Sequence, residues 1–147
     1  MTSAKSTAIF TRSCSLCDLI MEHNEMLHHE IYSGVSNLLK QRNDIGRYRL
    51  LDLGCGNAHY LVPCLKQSPP ALYEGVDLSK AALAEAHSYL AGFPGLITLR
   101  HGDLLAAIES TDKTWDVIFS GLAVHHLMLD EKARFFRAVG RCLAENG

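Results

Sequence analysis

With 147 residues, 48% of them hydrophobic and 20% charged, the chain amounts to one domain, long enough to bury about two thirds of its unfolded surface in a single core. Lys and Arg number 14 against 16 Asp and Glu, a formal net charge of −2, which argues against a dedicated nucleic-acid or acidic-membrane binder. No apolar run approaches the roughly 20 residues of a membrane span. The first 20 residues lack the pattern of a secretory signal, and five cysteines, an odd number, argue against a disulfide framework. A cytoplasmic protein with reduced thiols is the expectation.

The first 13 residues, rich in Ser, Thr and Lys, read as a ragged start. Leu27, Ile31, Val35, Leu38 and Leu39 then fall at intervals of 4, 4, 3 and 1, one stripe of a helix that Asn43, Asp44 and Gly46 break. Residues 48–53 form a short apolar run ending in glycines, a buried strand, and 58–66 can form a helix that Pro69 and Pro70 stop. A second strand over 72–78 leads to a helix over 80–90 capped by Ser79, with Gly92 and Pro94 beyond its end. Strands three and four are expected over 96–100 and 115–120. A last helix, capped by Asp130, puts Phe135, Phe136, Val139, Cys142 and Leu143 on one face.

Strands that alternate with helices, each strand a nearly continuous apolar run, predict an α/β fold. The expected form is a Rossmann-like doubly wound sheet of about four mainly parallel strands with helices on both faces. Such sheets bind ligands at the carboxyl ends of their strands. The first strand ends in Asp52-Leu53-Gly54-Cys55-Gly56-Asn57-Ala58. Two glycines one residue apart let backbone approach a ligand and aim free amides at it, although the same pair also occurs in plain turns. A dinucleotide site wants a further glycine three positions on, where this chain has His59. Asp52 would repel a diphosphate and attract an ammonium or sulfonium, or it accepts backbone hydrogen bonds that pin the turn.

Asp77 closes the second strand 21 residues after Gly56, where a carboxylate commonly takes two hydrogen bonds from a ribose diol; the plain alternative is a helix cap. Asp103, after the third strand, can accept from an exocyclic amine of a base, or is a simple loop acid. Three acids at the ends of three successive strands carry more than any one of them.

The run over 50–58, Asp77, Asp103 and the segment Trp115-Asp116-Val117-Ile118-Phe119-Ser120-Gly121-Leu122-Ala123-Val124-His125-His126-Leu127 together resemble the class I S-adenosylmethionine-dependent methyltransferases, most of all their small-molecule group. The likeness covers about residues 49–146 with the motifs in the family's order. It implies S-adenosylmethionine as cofactor and a small-molecule O, N or C methyl acceptor. Gly54, Cys55 and Gly56 would wrap the methionine part, with Asp52 near its ammonium. Asp77 would bind the ribose, Leu78 would pack on the adenine, and Asp103 with Leu104 would read the adenine edge. Ser120, Gly121 and Leu122 would line the wall near the methyl, and His125 or His126 on the substrate side could take a proton. Residues 46–147 would be the cofactor-binding domain, and 1–45 a helical segment that serves as a lid.

Two departures stand out. Ala58 occupies the place where the family often has a third glycine. The family sheet has seven strands, whereas this sequence reaches Glu145-Asn146-Gly147 where the turn into the fifth would begin. A bare fourth-strand edge is a template for association, so either a shortened gene product or a homodimer through that edge is expected.

Rival readings are a nicotinamide-dependent oxidoreductase and a non-catalytic regulator or partner subunit that keeps the cofactor. Cys14-x-x-Cys17 with His23, His28 and His29 matches no common zinc spacing, so no metal is expected. Cys55, Cys64 and Cys142 read as small buried hydrophobes, and Trp115 and Asp116 as structural.

Overall fold

The apolar runs become strands, the central two buried and the outer two half-buried or exposed, and a computed structural model of the chain describes this arrangement over residues 27–147. Cys14, Cys17 and His23 lie outside the described residues. The order is α1 (His28–Lys40), β1 (Arg49–Leu53), α2 (Val62–Gln67), β2 (Leu72–Asp77), α3 (Lys80–Tyr89), β3 (Leu96–His101), α4 (Leu104–Ser110), β4 (Val117–Phe119), a short 3-10 turn (Val124–His126) and α5 (Leu129–Cys142). The four strands form a wholly parallel sheet in the order β3-β2-β1-β4. Successive residues of β1 point to opposite faces. Leu50 joins Leu39, Leu61, Leu65, Tyr73 and Leu90 under α1, α2 and α3. Leu51 and Leu53 join Val76, Ile108, Trp115 and Phe135 under α4 and α5. The sheet is doubly wound, as expected.

Several boundaries differ from the sequence expectation, each for a local reason. The helix expected from residue 58 begins at Val62, because Ala58 takes a left-handed backbone (φ +58°) that no α-helix tolerates. Pro63, which would have interrupted the longer helix, sits in the first turn of the shorter one, where its missing N–H costs nothing. Ser79 caps α3 as expected, its Oγ accepting from the Ala82 N–H at 3.2 Å. The sequence reading placed no element over 104–110, yet α4 forms there with Asp103 as its cap and buries Leu105, Ala107 and Ile108. At α5 the cap is Met128, not Asp130: the helix starts at Leu129, and the Glu131 carboxylate reaches back to the Met128 N–H at 2.8 Å. Phe135 and Cys142 of the expected face are buried, whereas Phe136 is exposed.

Of the stripe expected on α1, Leu39 is buried and Val35 half-buried, whereas Leu27, Ile31 and Leu38 are exposed and His28 is buried in their place. The covered face therefore runs through His28, half-buried Tyr32 and Val35, and Leu39.

β4 has no strand neighbour on its outer side among the described residues. Only Trp115, just before it, is covered there. The Trp115 N–H donates to the Cys142 carbonyl at 2.8 Å and the Ala144 N–H to the Trp115 carbonyl at 2.9 Å, a parallel bridge between Trp115 and Leu143. Asp116 also proves structural, its Oδ2 accepting the Arg49 N–H at 2.7 Å. Among the described residues no helix is long and apolar enough to cross a membrane.

Candidate functional site

The carboxyl ends of β1, β2 and β4 converge on the glycine turn. Gly54 (φ +77°) and Cys55 both donate their N–H to the Val76 carbonyl, at 2.8 and 3.1 Å. Gly56 (φ +53°) donates its N–H to Asp77 Oδ2 at 2.8 Å, while Asp77 Oδ1 accepts the Ser79 N–H at 2.8 Å. One carboxylate thus ties the turn after β1 to the turn after β2. Each of its oxygens has a further lone pair to offer. The cap considered for Asp77 belongs to Ser79. A Cβ on Gly56 would meet nothing within 4 Å, so the turn is open on that side; a Cβ on Gly54 would collide with the Ala123 Cβ. Gly54 is therefore the place where the loop after β4 is allowed to close onto the loop after β1. Ser120 completes that closure, its Oγ donating to the Leu53 carbonyl at 2.7 Å.

Asp52 is not at the surface of this turn. It is 2% exposed, and its Oδ2 accepts from the Tyr73 hydroxyl at 2.8 Å, so the expected backbone pinning is replaced by a side-chain partner from β2. Its Oδ1 is buried with no partner among the described residues. Burial pushes the carboxyl up to about 7, the Tyr73 hydrogen bond pulls it down, and nearby Asp77 raises it. The Cys55 thiol also turns inward, into the space left because Gly75 has no Cβ, and burial pushes its pKa up. A ligand on this turn would therefore meet the Cys55 backbone, with Asp52 beneath.

The raised Asp52 pKa carries a stability consequence. The unfolded carboxyl ionises near pH 4 and the folded one near 7, so between these values the unfolded state binds fewer protons. Stability then falls as pH rises through that window, by up to about 1.4 kcal/mol per pH unit, and levels off above it. Asp52→Asn should raise the thermal midpoint by several degrees above pH 7.5 and by much less near pH 4.5, read by calorimetry at both values. An equal shift at the two pH values would refute the assignment.

Tyr32, which sequence reading did not single out, reaches the same region from α1. Its hydroxyl lies 3.2 Å from where a Gly121 Cβ would be, and its ring sits 6.1 Å from Phe119 and 5.9 Å from Tyr60. Burial, then the Asp52 charge, pushes the Tyr32 hydroxyl well above its ordinary pKa. The signal that could have found it is the spacing of four from His28 on the covered face of α1.

At the next strand end, Leu78 is 38% exposed and its carbonyl lies 3.0 Å from His101 Nε2. Asp103 caps α4, its Oδ1 accepting the Ala106 N–H at 2.9 Å, so the loop acid has a structural duty alongside any other. Leu104 packs near Gly54, 3.7 Å from where its Cβ would be. Leu122 (φ +56°) and Ala58 are two left-handed non-glycine residues in the loops that face one another, a strain of about 1 kcal/mol or more each. His125 and His126 occupy the 3-10 turn, both exposed, with ring centroids 3.9 Å apart. Burial and then His125 lower the His126 pKa. Among the described residues no group of three or more His, Cys, Asp or Glu could hold a metal ion.

Residues 50–147 match the family model described as a methyltransferase domain. The malonyl-acyl-carrier-protein O-methyltransferase of Halalkalibacterium halodurans is 29% identical over 111 residues, which cover 74% of this chain and 40% of that protein. An S-adenosylmethionine-dependent methyltransferase of Clostridium acetobutylicum has the same fold, with a TM-score of 0.66 at 20% identity, over 90% of this chain and 55% of that one. An amino pentose methyltransferase of Micromonospora echinaspora, solved with S-adenosylmethionine bound, superposes with a TM-score of 0.65 at 26% identity, over 88% and 52%. The chain spans about half, or less, of the length of these proteins.

Proposed function

Because the chain belongs to the methyltransferase-domain family, we propose that it binds S-adenosylmethionine across the carboxyl ends of β1, β2 and β4 and transfers the methyl group to an O, N or C atom of a small molecule. The observation that carries this reading is the Asp77 carboxylate, which links Gly56 and Ser79 and keeps a lone pair on each oxygen for a ribose diol. The unpartnered Oδ1 of Asp52 supports the same ligand, since a buried carboxylate oxygen is stabilised by an ammonium placed above it. Gly54, Cys55 and Gly56 then hold the amino-acid tail through backbone. Leu78 packs on the base, Asp103 and Leu104 meet its edge, and Ser120, Gly121 and Leu122 wall the methyl.

When bound, the cofactor would supply an electrophilic methyl on sulfur for the acceptor's lone pair. The protein's own work is alignment and exclusion of water. His125 or His126 takes the proton when the acceptor must lose one. α1 serves as the lid, Tyr32 being its contact with the loop after β4. The three described cysteines are free and buried, which suits a reducing cytoplasm.

Calorimetric titration should show S-adenosylmethionine and S-adenosylhomocysteine binding and NAD failing to bind. A panel of hydroxyl, amine and carbon acceptors followed by mass spectrometry should then detect methylation, reduced in His125→Gln or His126→Gln. Cofactor binding with no transfer to any acceptor would favour the regulatory reading. Binding of NAD alone would overturn the proposal.

The outer side of β4 supports a second strand laid against it, and a second copy of the chain is the partner it fits. Sedimentation should show dimers with slowed amide exchange over Val117–Phe119. A monomer with those amides protected would remove the homodimer.

A further inference from the structure

The register of the sheet sets Asp52 of β1 beside Gly75 of β2, and Tyr73 lies on the same face of β2 two residues earlier. A Cβ at Gly75 would sit 2.9 Å from Cys55 Sγ, 2.9 Å from a Leu99 methyl and 3.1 Å from Cε1 of the Tyr73 ring. The missing side chain is therefore what lets the Tyr73 ring lean along its own strand and the Cys55 thiol turn in from the glycine turn. Leaning this way, Tyr73, itself fully buried, donates its hydroxyl to Asp52 Oδ2 at 2.8 Å. The Cys55 thiol borders the same hydroxyl. The backbone of the turn, an inward thiol, a phenol and a carboxylate thus form one connected group under the place assigned to the amino-acid tail of the ligand.

Neither oxygen of Asp52 is open to that tail. Oδ2 is taken by Tyr73, and Oδ1 is buried. The carboxylate therefore acts through the turn by its charge and not by contact, and burial keeps that charge from being screened by water and salt. Whether the charge is present then decides how the tail is held. Burial and the Asp77 carboxylate oppose ionisation of Asp52, and the Tyr73 hydrogen bond favours it. The titratable groups that face Asp52 among the described residues are Tyr73 and Asp77 of β2, Cys55 of the turn and Tyr32 of α1. Phenols, thiols and carboxyls carry no positive charge in either protonation state, so of these groups only Tyr73, through its hydrogen bond, favours the carboxylate.

We propose that Tyr73 is a positioning residue for the ligand's amino-acid tail: its hydroxyl holds the Asp52 carboxylate beneath the glycine turn as the fixed negative charge that a tail ammonium meets through the backbone. Tail binding and ionisation of Asp52 then favour one another, and the coupling is reciprocal. As the cationic tail settles on the turn, Asp52 gives up its proton to solvent; with Asp52 protonated, the turn holds the tail less tightly. A ligand with the same nucleoside and no tail is indifferent to this exchange. The inference rests on the S-adenosylmethionine reading of the site and adds to it the residue that sets the charge under the tail.

The test is isothermal titration of the 147-residue chain with S-adenosylmethionine and with adenosine, the tail-free probe, from about pH 5 to about pH 7, where the tail ammonium stays charged. S-adenosylmethionine should bind about tenfold more tightly at the upper end than at the lower, and adenosine should change by less than about twofold. Tyr73→Phe should weaken S-adenosylmethionine about fivefold near pH 7 and displace its rise to higher pH, and Asp52→Asn should flatten the profile. Adenosine affinity is the control for an intact site in both variants. Equal S-adenosylmethionine affinity across the range, or a Tyr73→Phe profile that superposes on the parent's, overturns the proposal. If Tyr73→Phe fails to fold, the parent decides in buffers of different ionisation heat near about pH 6: S-adenosylmethionine must release about half a proton or more that adenosine does not, and equal heats overturn the proposal. S-adenosylmethionine binding without pH dependence removes this coupling alone, whereas its failure to bind at any pH removes the cofactor reading and this inference with it.

Discussion

Asp77→Ala should weaken S-adenosylhomocysteine binding by about a hundredfold, since two charge-assisted hydrogen bonds to a ribose diol contribute about 1.5–3 kcal/mol each before losses to solvent. The same change orphans the Gly56 and Ser79 amides, which the carboxylate holds at 2.8 Å each, so the free protein should also lose about 1–3 kcal/mol of stability. Lost affinity alone would not tell a broken turn from a lost contact. The discriminating measurement is a cycle with the 2′-deoxy form of S-adenosylhomocysteine. The parent should bind the deoxy form markedly less well than the ribose form, and Asp77→Ala should barely distinguish the two. If the variant discriminates as strongly as the parent, Asp77 shapes the turn without touching the sugar.

Gly54→Ala should destabilise the protein by about 2–5 kcal/mol, from two sources that can be separated. A left-handed backbone costs a non-glycine residue about 1–2 kcal/mol, and packing an extra methyl into a filled space costs about 1–3 more. The filled space is the Ala123 Cβ, with which the new Cβ would collide. Adding Ala123→Gly to Gly54→Ala should recover the second part and leave the first, as read by urea denaturation. A single variant within about 0.5 kcal/mol of the parent, or a double variant no better than the single, would show that the two loops do not meet as described. Ala58 is the instructive contrast. It adopts φ +58° with its methyl buried, so the chain tolerates a side chain at that left-handed position.

Much of this architecture was legible because its causes are local. Continuous apolar runs at β1 and β2, Ser79 before α3 and paired glycines after β1 each declare themselves within a few residues, and the model of a doubly wound parallel sheet followed from their alternation. α4 escaped notice although Asp103 is its cap, because the acid was weighed as a ligand and its neighbours as loop. α1 was placed correctly along the chain and only partly in rotation: Val35 and Leu39 of the expected stripe lie on the covered face, but Leu27, Ile31 and Leu38 are exposed, while a histidine and a tyrosine face inward. Periodicity identifies a helix, but which side is covered depends on what packs against it.

The sequence by itself determined the strands, the turn and the acids at the strand ends, since hydrophobic spacing and glycine's backbone freedom act over a handful of residues. Only the tertiary structure decided what those acids do. Asp52 meets its partner Tyr73 across 21 residues of chain, Gly56 meets Asp77 across 21, and Ser120 clasps Leu53 across 67. Burial of Asp52, of Tyr32 and of His28 arises from the same long-range packing. A side chain's charge state and its unmet hydrogen bonds depend on how far water is excluded, and water is excluded by segments distant in the chain.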